Sequence, residues 1–216
     1  MLALSTLGAV LALDATSLGQ FMISRPLVAA TLAGGLLGEP GLGIQIGAIL
    51  ELFYLSEMPS GGFRVPELGP ASVVAVALAS TTGGPAGVVI GITAGLLVSE
   101  LGGLTVEAQR RLNMTVTASV EATRVNELRL VCAHLLAMSL DFVRGGIVTL
   151  VGISVGTQVI GIVADRWTLS SESTMAIVVV AASIHLGALL RRFGGWRARQ
   201  TVFLVGLIAG IIGTYL

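Results

Sequence analysis

The stretch from Pro26 to Gly38, PLVAATLAGGLLG, is apolar and yet too short to cross a bilayer. A helix over it extends about 20 Å at 1.5 Å per residue, well short of a hydrocarbon core of about 30 Å. Pro26 suits the first turn of a helix, where no intrahelical donor is needed, which leaves Ser24 or Arg25 at the cap. The string GEPGLG then offers glycines that can take positive φ and a proline, Pro40, that forbids helix continuation. A second short apolar run from Leu42 to Met58 carries Gln45 and Glu51. Gly19 to Gly62 is therefore predicted to hold a helical hairpin that enters the membrane without crossing it in either limb.

The surrounding chain has the composition such a hairpin needs. Its 216 residues are 54 % hydrophobic and 11 % charged, with a mean hydropathy of +0.94, outside the range of ordinary soluble domains. Sheet edges cannot face lipid, and no series of alternating strands suggests a barrel. The expected fold class is all-α, a polytopic integral membrane protein with transmembrane helices and at least one re-entrant helical hairpin. Segments able to cross or enter the bilayer are Leu2 to Leu18, the hairpin, Ala71 to Val98, Gly145 to Ala164, Met175 to Leu190 and Thr201 to Leu216. The first lacks the basic start of a signal peptide and is read as a membrane helix. One membrane domain, 1–216, divides into a hairpin-containing part (1–99), a polar segment (100–129) and C-terminal membrane helices (130–216).

Twelve arginines balance twelve acidic residues, and with no lysine and no net charge a nucleic-acid partner has no electrostatic support. Cys132 is the single cysteine and is read as a small core residue. Gly83, Gly84, Gly87, Gly91 and Gly95 form a face suited to close helix packing, and TTGGP makes Ala71 to Val98 either a kinked span or a second short hairpin. Four arginines and four glutamates between Glu100 and Arg129, with Arg191, Arg192, Arg197 and Arg199, mark two loops on the cytoplasmic side. Leu130 to Asp141 is too short for a span of its own and is expected as an interfacial or partly buried helix.

Glu51 is the strongest single candidate for a binding role, because an ionisable residue at membrane depth is costly unless it faces protein or a water-filled cavity. Its alternative is a glutamate that, with Glu57, reaches interfacial water at a helix end. Gln45 lies about 120° away around the same helix, so the two cannot aim at one ligand. Asp14, Gln20, Ser24 and Arg25 add polar groups just before the hairpin, either as contacts for sugar hydroxyls or, for Asp14 and Arg25, as a structural ion pair. His134, Met138 and Asp141 share a helical face, and Arg144 follows Asp141 by three positions, the geometry of a local ion pair. His185 reads as a neutral histidine bonded to a neighbouring helix. No metal-ligand spacing, P-loop, GxSxG or HExxH string is present, so no cofactor, no metal and no self-contained enzyme are expected.

The stretch GQFMISRPLVAATLAGGLLGEPGLGIQIGAILELFYL closely resembles the signature of the C component (EIIC) of the mannose/fructose/sorbose-type sugar phosphotransferase system. It has the basic-proline step at Arg25 and Pro26, the glycine-acid turn at Gly38 to Gly43 and the Gly47 to Leu55 run with Glu51. MPSGGFRVPELGPASVVAVALA is similar to the family's loop and alanine-rich helix, and Arg110 to Asn113, His134 and Arg144 fall where similar chains carry comparable residues. The resemblance implies a permease subunit of the bacterial inner membrane that moves a hexose with a membrane D component (EIID). Cytoplasmic A and B components would supply the phosphoryl group, with no phosphohistidine in this chain. It further implies hetero-oligomers, as trimers of C and D pairs, with the sugar contacted by Glu51, Asp14, Gln20 and Arg25. The final section, LLRRFGGWRARQTVFLVGLIAGIIGTYL, departs from the family in having a basic loop where a further apolar segment is usual. That departure keeps open a second function, a non-transporting docking or regulatory subunit on the same scaffold.

Overall fold

Seven helices are arranged along the described residues: α1 (Leu2–Thr16), α2 (Pro26–Leu37), α3 (Pro40–Tyr54), α4 (Leu68–Thr82), α5 (Gly84–Glu121), α6 (Glu127–Ala164) and α7 (Ser171–Arg192). The structure, a computed structural model, describes residues 1–55, 65–121, 127–164, 166–192, 200–206 and 208, and among them there is no strand. Residues 200–206 are helical. Glu57, Met58 and most of Thr201 to Leu216 lie outside the described residues, as do 193–199 of the second arginine-rich loop and 122–126 of the polar segment.

The hairpin is present, with a tighter turn than the sequence suggests. Arg25 caps α2 in an extended conformation, Pro26 opens the helix, and Gly38 closes it in the left-handed region at φ 78°. The Gly38 N–H and the Glu39 N–H (2.8 Å to the Gly34 oxygen) satisfy the last carbonyls of α2. Pro40 then starts α3, so the turn is Gly38 and Glu39 alone, and Pro40 begins a helix as well as ending one. Gly43 is helical and serves close packing. A Cβ there would collide with the Ala30 carbonyl oxygen, and one on Gly34 would come within 2.9 Å of the Gly43 Cα.

TTGGP makes a second hairpin and not a kink: α4 ends at Thr82, Gly83 and Gly84 take φ of 71° and 60°, and α5 returns. Of the predicted glycine face, Gly87, Gly91 and Gly95 form the seam, while Gly83 and Gly84 make the turn and face open space. Gly87 and Gly91 meet the carbonyl oxygens of Ala79 and Ala75, and Gly95 approaches the Ala75 side chain. Every residue of α4 from Gly69 to Ala79 is buried, so this helix of about 22 Å, apolar all round, forms the centre of the core.

Two boundaries differ from expectation. Leu130 to Asp141 is not a separate interfacial helix; it continues without a break into Gly145 to Ala164 as one 38-residue α6. Likewise α5 does not stop at Val98 but extends through the start of the polar segment to Glu121. Among the described residues, three helices are long and apolar enough to cross a membrane, within Gly84–Thr115, Glu127–Val163 and Ser171–Arg191, while α1 to α4 are shorter. Cys132 is exposed on α6, against the core reading, because on a membrane helix the outward face is as apolar as the inward one.

Side-chain contacts fix the helix directions. Gly8 meets Thr149, Gly145 meets Ala12, and Thr16 bonds Asp141, so α1 and α6 run antiparallel. Arg144 bonds Glu67, Gly152 meets Val74 and Gly156 meets Leu78, so α4 and α6 run parallel. Tyr54 bonds Ser99 and Leu50 meets Gly95, which sets α3 parallel to α5. The C-terminal ends of α1 and α3 and the N-terminal ends of α2 and α4 consequently lie at one level. That level falls partway along α5 and α6, which continue beyond it.

Candidate functional site

The buried acids Asp14, Glu67 and Asp141 and their partners collect at this level, in two groups. In the first, Asp14 in the last turn of α1 is 4 % exposed and organises the loop into α2. Its Oδ1 accepts the Phe21 N–H at 2.7 Å and its Oδ2 the Ser24 N–H at 2.9 Å. On either side of the Phe21 anchor, Gln20 and Met22 hold left-handed φ values of 51° and 63°, a conformation costing about 1–2 kcal/mol for a residue with a Cβ. Arg25 donates through Nε to Glu51 Oε1 at 2.7 Å, and its terminal nitrogen reaches the same oxygen. Glu51 Oε2 accepts the Leu27 N–H at 3.2 Å. That N–H is an orphan donor of the first turn of α2, so the carboxylate sits at the helix's positive end.

The second group centres on Arg144 of α6. It donates to both oxygens of Glu67 at 2.7 Å, to Asp141 Oδ1 at 2.7 and 3.2 Å, to Gln109 Oε1 at 2.7 Å and to Thr105 Oγ1 at 2.9 Å. Glu67 and Asp141 are 4 % and 2 % exposed. Asp141 Oδ2 in turn accepts from Ser17 at 2.6 Å and from Thr16. The guanidinium thus joins α6 to α4 through its cap residue Glu67 and to α5 through Thr105 and Gln109, and Asp141 adds α1 through Thr16 and Ser17. Charges at membrane depth cost several kcal/mol each unless paired and hydrogen-bonded, and here every one is.

A cavity of about 100 Å³ separates the two groups, lined by Thr16, Ser24, Arg25, Glu67 and Arg110 with Ala15, Val65, Pro66, Leu68 and Val106. Of the four sequence-predicted contacts, Arg25 lines this cavity. Glu51 stands behind Arg25, and Asp14 stands behind the loop that bears Ser24 and Arg25. Gln20 is exposed, as is Gln45. Asp14 and Arg25 do not form the ion pair offered as an alternative; Arg25 goes to Glu51, and Asp14 to backbone N–H groups. The local Asp141 and Arg144 pair does form, at 2.7 Å. His134 is exposed on α6, and His185 packs on Phe53 of α3 with ring centroids 5.2 Å apart.

A model of the family described as the sorbose-specific IIC component of the phosphotransferase system matches residues 1–184. The chain belongs to the sorbose-type IIC family of the phosphotransferase system. Among similar proteins, the sorbose-specific EIIC component of Klebsiella pneumoniae is 26 % identical over 200 residues, 89 % of this chain and 73 % of that one. The sorbose-specific EIIC component of Lacticaseibacillus casei is 29 % identical over 134 residues, 61 % of this chain, and the match spans about half (48 %) of that relative. The mannose-specific EIIC component of Escherichia coli K12 is 39 % identical over 61 residues, 28 % of this chain and 23 % of that one. A solved structure of the mannose transporter ManYZ with microcin E492 shares the fold, with a TM-score of 0.63 and 21 % identity over 99 % of this chain and 91 % of the other. A second solved membrane protein gives a TM-score of 0.67 at 20 % identity, covering 100 % and 96 % of the two chains.

Within this IIC chain, sequence reasoning found Arg25 and Glu51 but not that they bond each other, and it missed Glu67. A signal for Glu67 existed. VPELGP places an acid at the cap of an apolar helix, where a carboxylate is favoured, and 77 residues later Arg144 interrupts another apolar run. Opposite charges set in two apolar helix runs are low-cost partners for each other.

Proposed function

We propose that this IIC chain is the permease subunit of a sugar phosphotransferase system in the bacterial inner membrane. It carries a hexose across with a membrane D component, for phosphorylation by cytoplasmic A and B components. The observation that carries this reading is the cavity between the two ion-paired groups. Arg25, Ser24, Thr16 and Glu67 line it at the level where four short helices end inside the bundle. A sugar needs paired hydrogen-bond donors and acceptors held in fixed positions; Arg25, Thr16 and Glu67 are each held by a side-chain partner, and Ser24 is positioned through its backbone N–H on Asp14. Arg25 is the sugar contact retained from the sequence reading. Glu51 acts through Arg25, Asp14 through the Ser24 to Arg25 loop, and Gln20 contributes from the exposed side of that loop.

The outer surface supports a membrane partner. Exposed apolar residues run along α6 from Leu128 to Val163, about 50 Å at helical rise, against about 30 Å of hydrocarbon. Lipid covers only part of such a face, and a D component is the covering protein in a hetero-oligomer of C and D chains, which a trimer of pairs would close. Co-expression with the D component in inverted membrane vesicles, with labelled mannose, fructose and sorbose, tests the reading. Sugar phosphate that accumulates only with phosphoenolpyruvate and the soluble components supports it; none with any hexose rejects it.

A further inference from the structure

Glu67 lines the cavity and Asp14, Glu51 and Asp141 stand behind its wall, and each of their eight carboxylate oxygens already accepts a hydrogen bond. Asp14 takes the N–H groups of Phe21 and Ser24, and Glu51 takes Arg25 and the Leu27 N–H. Glu67 is held at both oxygens by Arg144, while Asp141 is shared between Arg144 and the Thr16 and Ser17 hydroxyls. Glu107, one turn before the cavity wall ends, is taken by Arg111 at 2.6 Å. Arg110 is different. It lines the same cavity from the exposed side of α5, and among the described residues no carboxylate or other acceptor bonds it.

A ligand entering this cavity therefore meets one carboxylate, Glu67, that is already engaged and one guanidinium fork, Arg110, that is not. We infer that Arg110 forms an anion subsite at the cavity wall that takes the phosphate of a phosphorylated sugar, the sugar ring lying toward Ser24 and Arg25. The chemistry fits. A phosphate monoester carries about −1.5 to −2 charge at pH 7 and three acceptor oxygens, and the planar guanidinium binds such a group through two parallel N–H bonds. The neighbouring Arg25, satisfied by Glu51, adds no second unpaired cation, so the subsite suits a single phosphate. The inference rests on the cavity being the sugar site, and it adds that the phosphorylated form is held there more tightly than the free sugar.

The test uses the full chain purified with its D component and titrated with mannose, fructose, their 6-phosphates and inorganic phosphate. The expected result is that a 6-phosphate binds about tenfold or more tightly than its parent sugar. Arg110→Gln removes that advantage, bringing ester and parent sugar to within about twofold of each other, whereas Arg110→Lys, a point charge, keeps part of it. Equal affinity for sugar and ester in the wild type overturns the subsite, as does Arg110→Gln weakening both alike, which makes Arg110 a hydroxyl contact. Phosphate binding abolished by Arg110→Gln, without binding of any sugar, retains the anion site and removes the permease reading instead. Repeating the titration in phosphatidylcholine nanodiscs with and without phosphatidylglycerol separates the other source of phosphate. Loss of ester binding in the anionic lipid assigns Arg110 to a headgroup and overturns the sugar phosphate.

Discussion

Arg144 on α6 holds Glu67, the residue that caps α4, through two N–H to oxygen bonds of 2.7 Å each. The pair is nearly dry, with side chains 11 % and 2 % exposed, and it fixes α4, the most buried helix, against α6. Removing one partner of a buried pair leaves an uncompensated charge and costs about 3–5 kcal/mol. Arg144→Met strands both Glu67 and Asp141 and is expected at the upper end of that range. Arg144→Met with Glu67→Leu and Asp141→Leu recovers most of the loss. Thermal unfolding in detergent of the single and triple variants measures the difference.

A second pair, Arg25 with Glu51, acts on the cavity and not on the core. The side chains are 24 % and 20 % exposed, so global stability depends on them less. Glu51→Gln frees the Arg25 guanidinium from its position at the cavity wall. It is expected to raise the KM for sugar uptake about tenfold while leaving membrane insertion intact. Arg25→Gln has a similar effect, and the double variant is scarcely worse than either single one. Additive effects in uptake kinetics would show that the two residues work separately.

The first hairpin makes opposite demands on two glycines. At Gly38 a Cβ meets open space but the backbone sits at φ 78°, so Gly38→Ala pays only the left-handed conformation, about 1–2 kcal/mol. At Gly43 the backbone is ordinary helix, but a Cβ meets the Ala30 carbonyl oxygen across the seam. Gly43→Ala must separate α2 from α3 and is expected to cost about 3 kcal/mol or more. Unfolding midpoints of the two variants give the order, and folded yield of Gly43→Leu falls furthest.

Length arithmetic was enough to read the first hairpin, since thirteen apolar residues between Pro26 and Gly38 have no other way to be satisfied. The seam from Gly87 to Gly95 was legible for the same kind of reason, a local spacing with one packing use. The continuity of α6 was not. Leu130 to Asp141 read as a short interfacial or partly buried helix because the second acid that pairs with Arg144, Glu67, lies 77 residues away from it. Pairing across that distance turns an apparent boundary into the middle of a span. The Cys132 core reading and the Asp14–Arg25 ion-pair alternative failed similarly: apolar neighbours do not say which face of a membrane helix looks outward, and an acid near an arginine does not say which donor it prefers. Here Asp14 took two backbone N–H groups and left Arg25 to Glu51.

Sugar passage through the cavity at Arg25 is tested most directly in vesicles that hold the chain with its D component, loaded with phosphoenolpyruvate and the soluble phosphotransferase components. Labelled hexose should appear as hexose phosphate with the wild type, and Arg25→Gln should cut the initial rate about tenfold at low sugar with the protein still inserted. An Arg25→Gln variant that matches wild type at every sugar concentration would place the pathway elsewhere.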